Sequence, residues 1–411
     1  MRVLVVSPYF PPRADSESFC GGKFAQALLD AGSDTIVMCA HSAPPTHRFD
    51  MSARWHSLNH ITVDVGNPET TAFVTRCRRA ARYRTTEWTG LTAAFVSTAH
   101  ELHREKRFDV VVSRSSPWYA HLAGYWIASS LRLPWVANFN DPWDMTPFVD
   151  DGDEAWRIAL RPSWAARLWN RRTLARASIL TFPCERLGDY TLRATGRRSR
   201  VHVIPHIGAA STNSPAPARE FTIVHAGKLR SSGGGRRRAN PIIWALARLL
   251  ETNDLARSLI RLVFVGPQDP AVIDEVGEIG LSRVVSWTGE VGYDESLEYI
   301  ARASVCLLVE GALDEGIFLP SKFSDYVAAG KPIIAMSPEK GTLNDISQDG
   351  GVMRVAPDDG NGVLKVLTTL FDAFLTERLA EYAPPKSLAK RYRPDTVAQQ
   401  FLSALHAPRP G

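Results

Sequence analysis

The stretch Leu319-Pro-Ser-Lys-Phe-Ser-Asp-Tyr-Val-Ala-Ala-Gly-Lys-Pro-Ile-Ile334 holds the residues of this chain best spaced for chemistry. Phe323, Tyr326 and Val327 recur at helical spacing, which predicts a short helix with Ser321 as its N-cap and Gly330 as its stop. Lys322 then falls in the first turn, where the helix dipole disfavours a cation unless an anion lies close by. Asp325 follows on the same face, one turn later. A helix N-terminus offers free N–H groups to a phosphate, and Lys322 would add a point charge. Asp325 could accept hydrogen bonds from ribose hydroxyls. Together these residues predict a pocket for a nucleoside diphosphate; an ordinary surface Lys/Asp pair is the plain alternative.

Such a pocket needs a scaffold, and the chain supplies a repeated strand–helix alternation. Strands are expected at Val3–Ser7, Thr35–Cys39, Ile61–Val65, Val110–Ser113, Trp135–Asn138, Ile179–Phe182 and Val201–Ile204, with helices at Gly22–Ala31, Glu87–Lys106 and Tyr119–Ser130. Continuous apolar strands between helices predict an α/β fold with a parallel, doubly wound sheet. From His206 to Ala218 the chain turns small, polar and proline-broken and reads as a linker. A second alternation opens at Phe221–Gly227 and runs through helix Pro241–Glu251, strands Leu262–Val265 and Val284–Trp287, helix Glu295–Ala301 and strand Val305–Leu308 to the stretch above. This gives two doubly wound domains, 1–208 and 219–389, with ligands expected at the carboxyl ends of their strands. An amphipathic last helix begins near residue 390 and extends towards residue 411.

At 411 residues, with 45% hydrophobic and 22% charged residues, the chain can build two sizeable cores. No run approaches the roughly 20 apolar residues that span a bilayer. The start, Met1–Ser7, is too short for a signal peptide and reads as a buried strand. Five scattered cysteines (Cys20, Cys39, Cys77, Cys184, Cys306) suggest a reducing compartment and no zinc site, hence a cytoplasmic protein. The net charge of +5 is uneven: residues 1–210 hold 26 Lys+Arg against 19 Asp+Glu, or +7, leaving −2 for the rest. Arg76–Arg84 and Arg157–Arg200 are the basic clusters, the latter interleaved with Trp164 and Trp169 and directly preceded by Trp156. They suit solvated helix faces, or peripheral contact with an anionic membrane at the inner face through the first domain; nucleic acid is not expected as a partner.

Pro-Ser-Lys-x-x-(Glu/Asp)-Tyr-x-Ala-x-Gly-Lys-Pro resembles the donor-site signature of retaining, family-four-type glycosyltransferases with the GT-B fold. The resemblance implies two Rossmann-like domains facing a central cleft, the last helix crossing back to the first domain. It also implies transfer of a sugar from a nucleotide-diphosphate donor to a hydroxyl of a polysaccharide, a lipid-linked glycan or a small metabolite. Lys322 would bind the donor diphosphate and Asp325, where Glu is usual, the ribose. The family's other acid falls at Ile317 here, so Glu315, beside Asp314, is the nearest catalytic candidate. His225–Pro241 is similar to the family's glycine-loop element, whose basic residue pairs with the lysine across the diphosphate. Lys228, Arg230, Arg237 and Arg238 are the candidates, with Lys228, Arg230 and Arg238 taken beside Lys322. Two such cations would stabilise charge on the leaving group. Gly289–Tyr293, with Glu290 and Val291, matches the nucleobase region.

In the first domain Gly21-Gly22 resembles the glycine pair at the mouth of the first helix, or is a plain helix-entry turn, with Arg13–Cys20 read as a mobile loop before it. Pro134–Trp143 is similar to an Asp-Phe-Arg-Asp-Pro-Trp element, with Asn138 and Asn140 replacing the first Asp and the Arg. Asp141 could orient an acceptor hydroxyl or steady charge at the anomeric carbon, or merely cap a turn. His121 is a candidate contact to donor sugar hydroxyls, or a packed histidine. No metal motif stands in a suitable place and no cofactor is implied beyond the nucleotide-sugar co-substrate. An inverting transferase, an epimerase of the same fold and a non-catalytic partner subunit are the alternatives.

Overall fold

The computed structural model describes residues 1–40, 53–63, 86–115, 117–142, 164–193, 201–212, 219–229 and 237–406. The basic cluster 76–84, Trp143, Trp156 and Arg230 lie outside these residues. Described residues up to His206 and from Pro394 onward form one compact unit, and Ile207–Arg393 the other.

The first unit is built on β1 (Arg2–Val6), β2 (Asp34–Ala40), β3 (His60–Val63), β4 (Val110–Ser115), β5 (Trp135–Phe139), β6 (Ile179–Phe182) and β7 (Val201–Val203). They pair in the order β3-β2-β1-β4-β5-β6-β7, every described pair parallel. Strands β4, β5 and β6 are buried along their whole length, as a sheet covered on both faces requires. The order reverses between β1 and β4, so the loops leaving these two strands diverge and open a crevice at the sheet's carboxyl edge. Helix Ser16–Asp30 begins where a loop was expected: Asp15 is its N-cap and accepts a hydrogen bond from the Ser18 N–H at 2.8 Å. Helix Pro394–His406 packs on it, with Phe401 edge-on to Phe24 at 4.9 Å.

The second unit holds β8 (Phe221–Ala226), β9 (Ile260–Val265), β10 (Val285–Trp287), β11 (Val305–Val309), β12 (Ile333–Met336) and β13 (Val352–Val355). Their order is β10-β9-β8-β11-β12-β13, all parallel, reversing between β8 and β11. One face of the sheet packs on helices Asn240–Thr252 and Gly360–Leu375 through residues such as Phe221, Leu246, Leu367 and Phe371.

Two expectations change here. Pro320, not Ser321, occupies the N-cap of helix Ser321–Ala328 and makes no side-chain cap, so Ser321 is the first helical residue. Gly330 does end the helix: at φ +66 its N–H reaches the Val327 carbonyl while the Lys331 N–H reaches that of Tyr326. The expected linker is ordered at its start, since Ile207, Gly208 and Ala209 are buried against this helix. A Cβ on Gly208 would meet the Ser324 carbonyl oxygen, which only a glycine avoids. Among the described residues no helix is long and apolar enough to cross a membrane.

Candidate functional site

Three glycines close the ends of β8, β9 and β10. Gly227 (φ +106), Gly266 (φ +150) and Gly289 (φ +74) each adopt a backbone that side chains disfavour, and Gly266 bridges Gly289. A Cβ on Gly227 would stand 2.9 Å from the Lys322 ammonium. The glycine therefore lets the lysine, rising from the first turn of helix Ser321–Ala328, lie against the end of β8.

Beneath it sits His225, buried in β8, a residue whose position in an apolar strand gave no signal of function. Its Nδ1–H donates to the Leu307 carbonyl at 3.0 Å, which leaves the Nε2 lone pair facing Lys322 Nζ at 3.5 Å. Burial, then the Lys322 charge, holds the imidazole well below its ordinary value, so it stays neutral. Burial, then Arg237, lowers the Lys322 ammonium to about 7. A cation partly stripped of water and repelled by a second cation is a site waiting for an anion.

Arg237 is the basic residue that turns inward. Its charge acts on Lys322, His225 and Glu310 together, whereas Arg238 is exposed. Lys228 is largely exposed and faces Glu290 at 3.9 Å. Among the described loop cations, then, the one whose charge reaches Lys322 is Arg237.

The acid side is also rearranged. Ile317 is buried, Asp314 is exposed, and Glu315 pairs with Lys340 at 3.0 Å. The buried carboxyl is Glu310, directly after β11. It accepts a 2.5 Å hydrogen bond from Ser337 at the end of β12, and Gly316 leaves space beside it. Burial raises its carboxyl to about 7, opposed by Ser337 and Arg237. An acid that ends an otherwise apolar strand was the available signal. Asp325 is buried, its Oδ1 accepting from the Ala209 N–H and its Oδ2 from the Tyr293 hydroxyl, both at 2.9 Å. Its carboxylate thus fastens residues 207–209 and the helix starting at Tyr293 to the signature helix.

In the first unit, His121 is a core residue, correcting its reading as a sugar contact. It is fully buried, accepts from Ser113 Oγ at 2.8 Å while Ser113 accepts from the Trp135 indole, and packs 4.4 Å from Phe139. Burial pushes it down to about 3. Gly21 faces Ser7 and Gly22 faces Pro11 and Trp55, so both permit close helix packing at the end of β1. Asp141 follows β5 and acts electrostatically on Glu17, in the first turn of helix Ser16–Asp30. Glu17 was hidden by the expectation of a loop there.

Residues 22–206 match the model of the glycosyl transferase 4-like domain. The whole chain is similar in structure to sucrose-phosphate synthase from Thermosynechococcus elongatus (TM-score 0.64, 16% identity, 98% of each chain). It is also similar to Anabaena HepE, solved with UDP-glucose (TM-score 0.66, 15% identity, 98% of this chain and 99% of that one). UDP-GlcNAc 2-epimerase from Neisseria meningitidis, solved with UDP-GlcNAc, shares the fold at TM-score 0.57 and 12% identity over 98% and 99% of the chains. No curated protein matches by sequence. Residues 22–206 thus resemble a glycosyl transferase 4-like domain, and the two parallel sheets match those of GT-B glycosyltransferase structures.

Proposed function

We propose that this chain moves a sugar from a nucleoside-diphosphate donor, held by the second unit, to a hydroxyl acceptor held by the first. The observation that carries the reading is Lys322: a half-hidden ammonium at a helix N-terminus, set against Gly227 and His225 with Arg237 beside it. A diphosphate there would restore the charge interactions that burial removes and would place two cations where the leaving group gains charge. The ribose is assigned to the Tyr293–Asp325 pair, the nucleobase to Gly289–Val291 and the sugar to the region of Glu310. The nucleotide-sugar complexes of HepE and the epimerase, on the same fold, support a nucleotide sugar as donor. Retention of configuration, implied by the sequence resemblance, and contact with a membrane surface belong to the same proposal.

The shared fold also admits an epimerase, and the products separate the two. Incubation with UDP-glucose, UDP-GlcNAc or GDP-mannose should yield free nucleoside diphosphate and a sugar unchanged at C2; with the first two, its anomeric coupling, read before the free sugar mutarotates, reports retention. A sugar inverted at C2 would replace the transferase reading with the epimerase one.

A further inference from the structure

The carboxyl edge of the first sheet carries a polar row that the donor site does not use. Arg114 on β4, Asn138 on β5 and Thr181 on β6 are register partners, so their side chains share one face. Arg114 is 5% exposed and lies over the Phe24 ring at 4.6 Å, which identifies the covered face as that of helix Ser16–Asp30. Asn138 is 6% exposed and donates through Nδ2 to Thr181 Oγ1 at 2.9 Å; its Oδ1 finds no partner among the described residues. A buried amide oxygen left in that state is destabilising, and a bound hydroxyl would satisfy it. Two residues on, Asn140 donates to Glu17 Oε2 at 2.8 Å, and Asp141 follows it. These groups stand beside the switch between β1 and β4, where doubly wound sheets bind their ligands.

We propose that this row seats the acceptor's hydroxyl and that Glu17 takes up its proton, with Asn138 and Asn140 aligning the groups and Asp141 beside them. The inference rests on the transferase reading above. In the step, the acceptor O–H bond breaks and its oxygen forms the bond to the anomeric carbon. The electron pair of the anomeric carbon–oxygen bond leaves with the nucleoside diphosphate. The proton rests on the Glu17 carboxylate and passes to water as product leaves. Atoms and electrons balance in the same way for either face of attack.

The charges around Glu17 suit the task. Burial and then the Asp141 charge raise its carboxyl to about 8, Asp15 adds to this, and the Asn140 hydrogen bond and Arg114 oppose it. Arg114 itself is lowered by burial, with Cys20 and Glu17 acting the other way. Lys23, on the same helix, is buried too. A base is most effective when its pKa lies near the working pH. Asn140 is central, because a neutral amide leaves Glu17 able to hold a proton where a guanidinium would ionise it.

The test follows hydrolysis of UDP-glucose, UDP-galactose and GDP-mannose across pH, water taking the acceptor's place. Wild type should show kcat, measured at saturating donor, rising with pH through about 8. Glu17→Gln should lose about 10²-fold or more and the dependence with it, while its melting shift with each nucleotide stays as in wild type. Asn140→Arg should move the rising limb to lower pH. A limb that survives in Glu17→Gln, or one that Asn140→Arg leaves in place, overturns the proposal. So does nucleotide binding without any wild-type turnover, which spares the donor reading. Absence of nucleotide binding overturns both.

Discussion

With the diphosphate on Lys322 as proposed, donor binding becomes a proton-linked event. The Lys322 ammonium is lowered to about 7 in the free protein, so about half of the molecules carry the charge at that pH. If the diphosphate binds the charged form, apparent affinity follows the charged fraction. Between pH 7 and 8.5 that fraction falls from about one half to about 0.03, so the Kd for UDP-glucose should rise about fifteenfold, or about 1.6 kcal/mol. With both phosphates esterified, the ligand has no phosphate ionisation of its own in this range. Calorimetry in two buffers of different ionisation heat should show uptake of about half a proton at pH 7 and close to one at pH 8.5. Lys322→Arg, charged throughout, should bind with affinity flat in pH. An affinity flat in pH for wild type, with no proton uptake, would refute the reading of this half-hidden lysine as one that waits for an anion.

Three further outcomes follow. Glu310 is raised from an ordinary 4.5 to about 7, so its contribution to stability is full below pH 4.5 and lost as pH rises through 7. Glu310→Gln should therefore gain on wild type between pH 5 and 8, by up to about 3 kcal/mol in denaturant melts. Gly227→Ala should cost about 1–3 kcal/mol of backbone strain and, by crowding the Lys322 ammonium, abolish the nucleotide-induced melting shift. His121→Ala should lose about 2–4 kcal/mol of stability as a core deletion, yet leave nucleotide affinity unchanged.

What the sequence made legible was whatever repeats with a period. The apolar strands Val110–Ser115, Trp135–Phe139 and Val305–Val309 announce a covered parallel sheet because both faces must be apolar. Lys322 was found through its place in a helix's first turn. The residues around it were less visible because strand ends from distant segments assemble them. His225 and Glu310 each look like an isolated polar residue in an apolar run, and only β8 and β11 pairing side by side shows that both feel Arg237. Choosing Arg237 over Lys228 and Arg238 needed the fold, since alternation along a loop has no fixed period. Glu17 was lost because Asp15, an N-cap, was passed over and the helix start was placed at Gly22 instead of Ser16. Asp325 shows another limit: its type and spacing suggested a ribose contact, while its hydrogen bonds to Ala209 and Tyr293, from distant segments, had no signal in the sequence.

The central claim is that Lys322 holds a nucleoside diphosphate, and nucleotide-dependent melting tests it directly. UDP, GDP, ADP and TDP, each at a hundredfold excess over its dissociation constant, would add about 2.7 kcal/mol to whichever protein binds it. The account predicts that one of them raises the melting temperature of wild type and that Lys322→Ala, folded and melting cooperatively, shows no shift. Stabilisation that persists undiminished in Lys322→Ala, or none with any of the four at millimolar concentration, would contradict it.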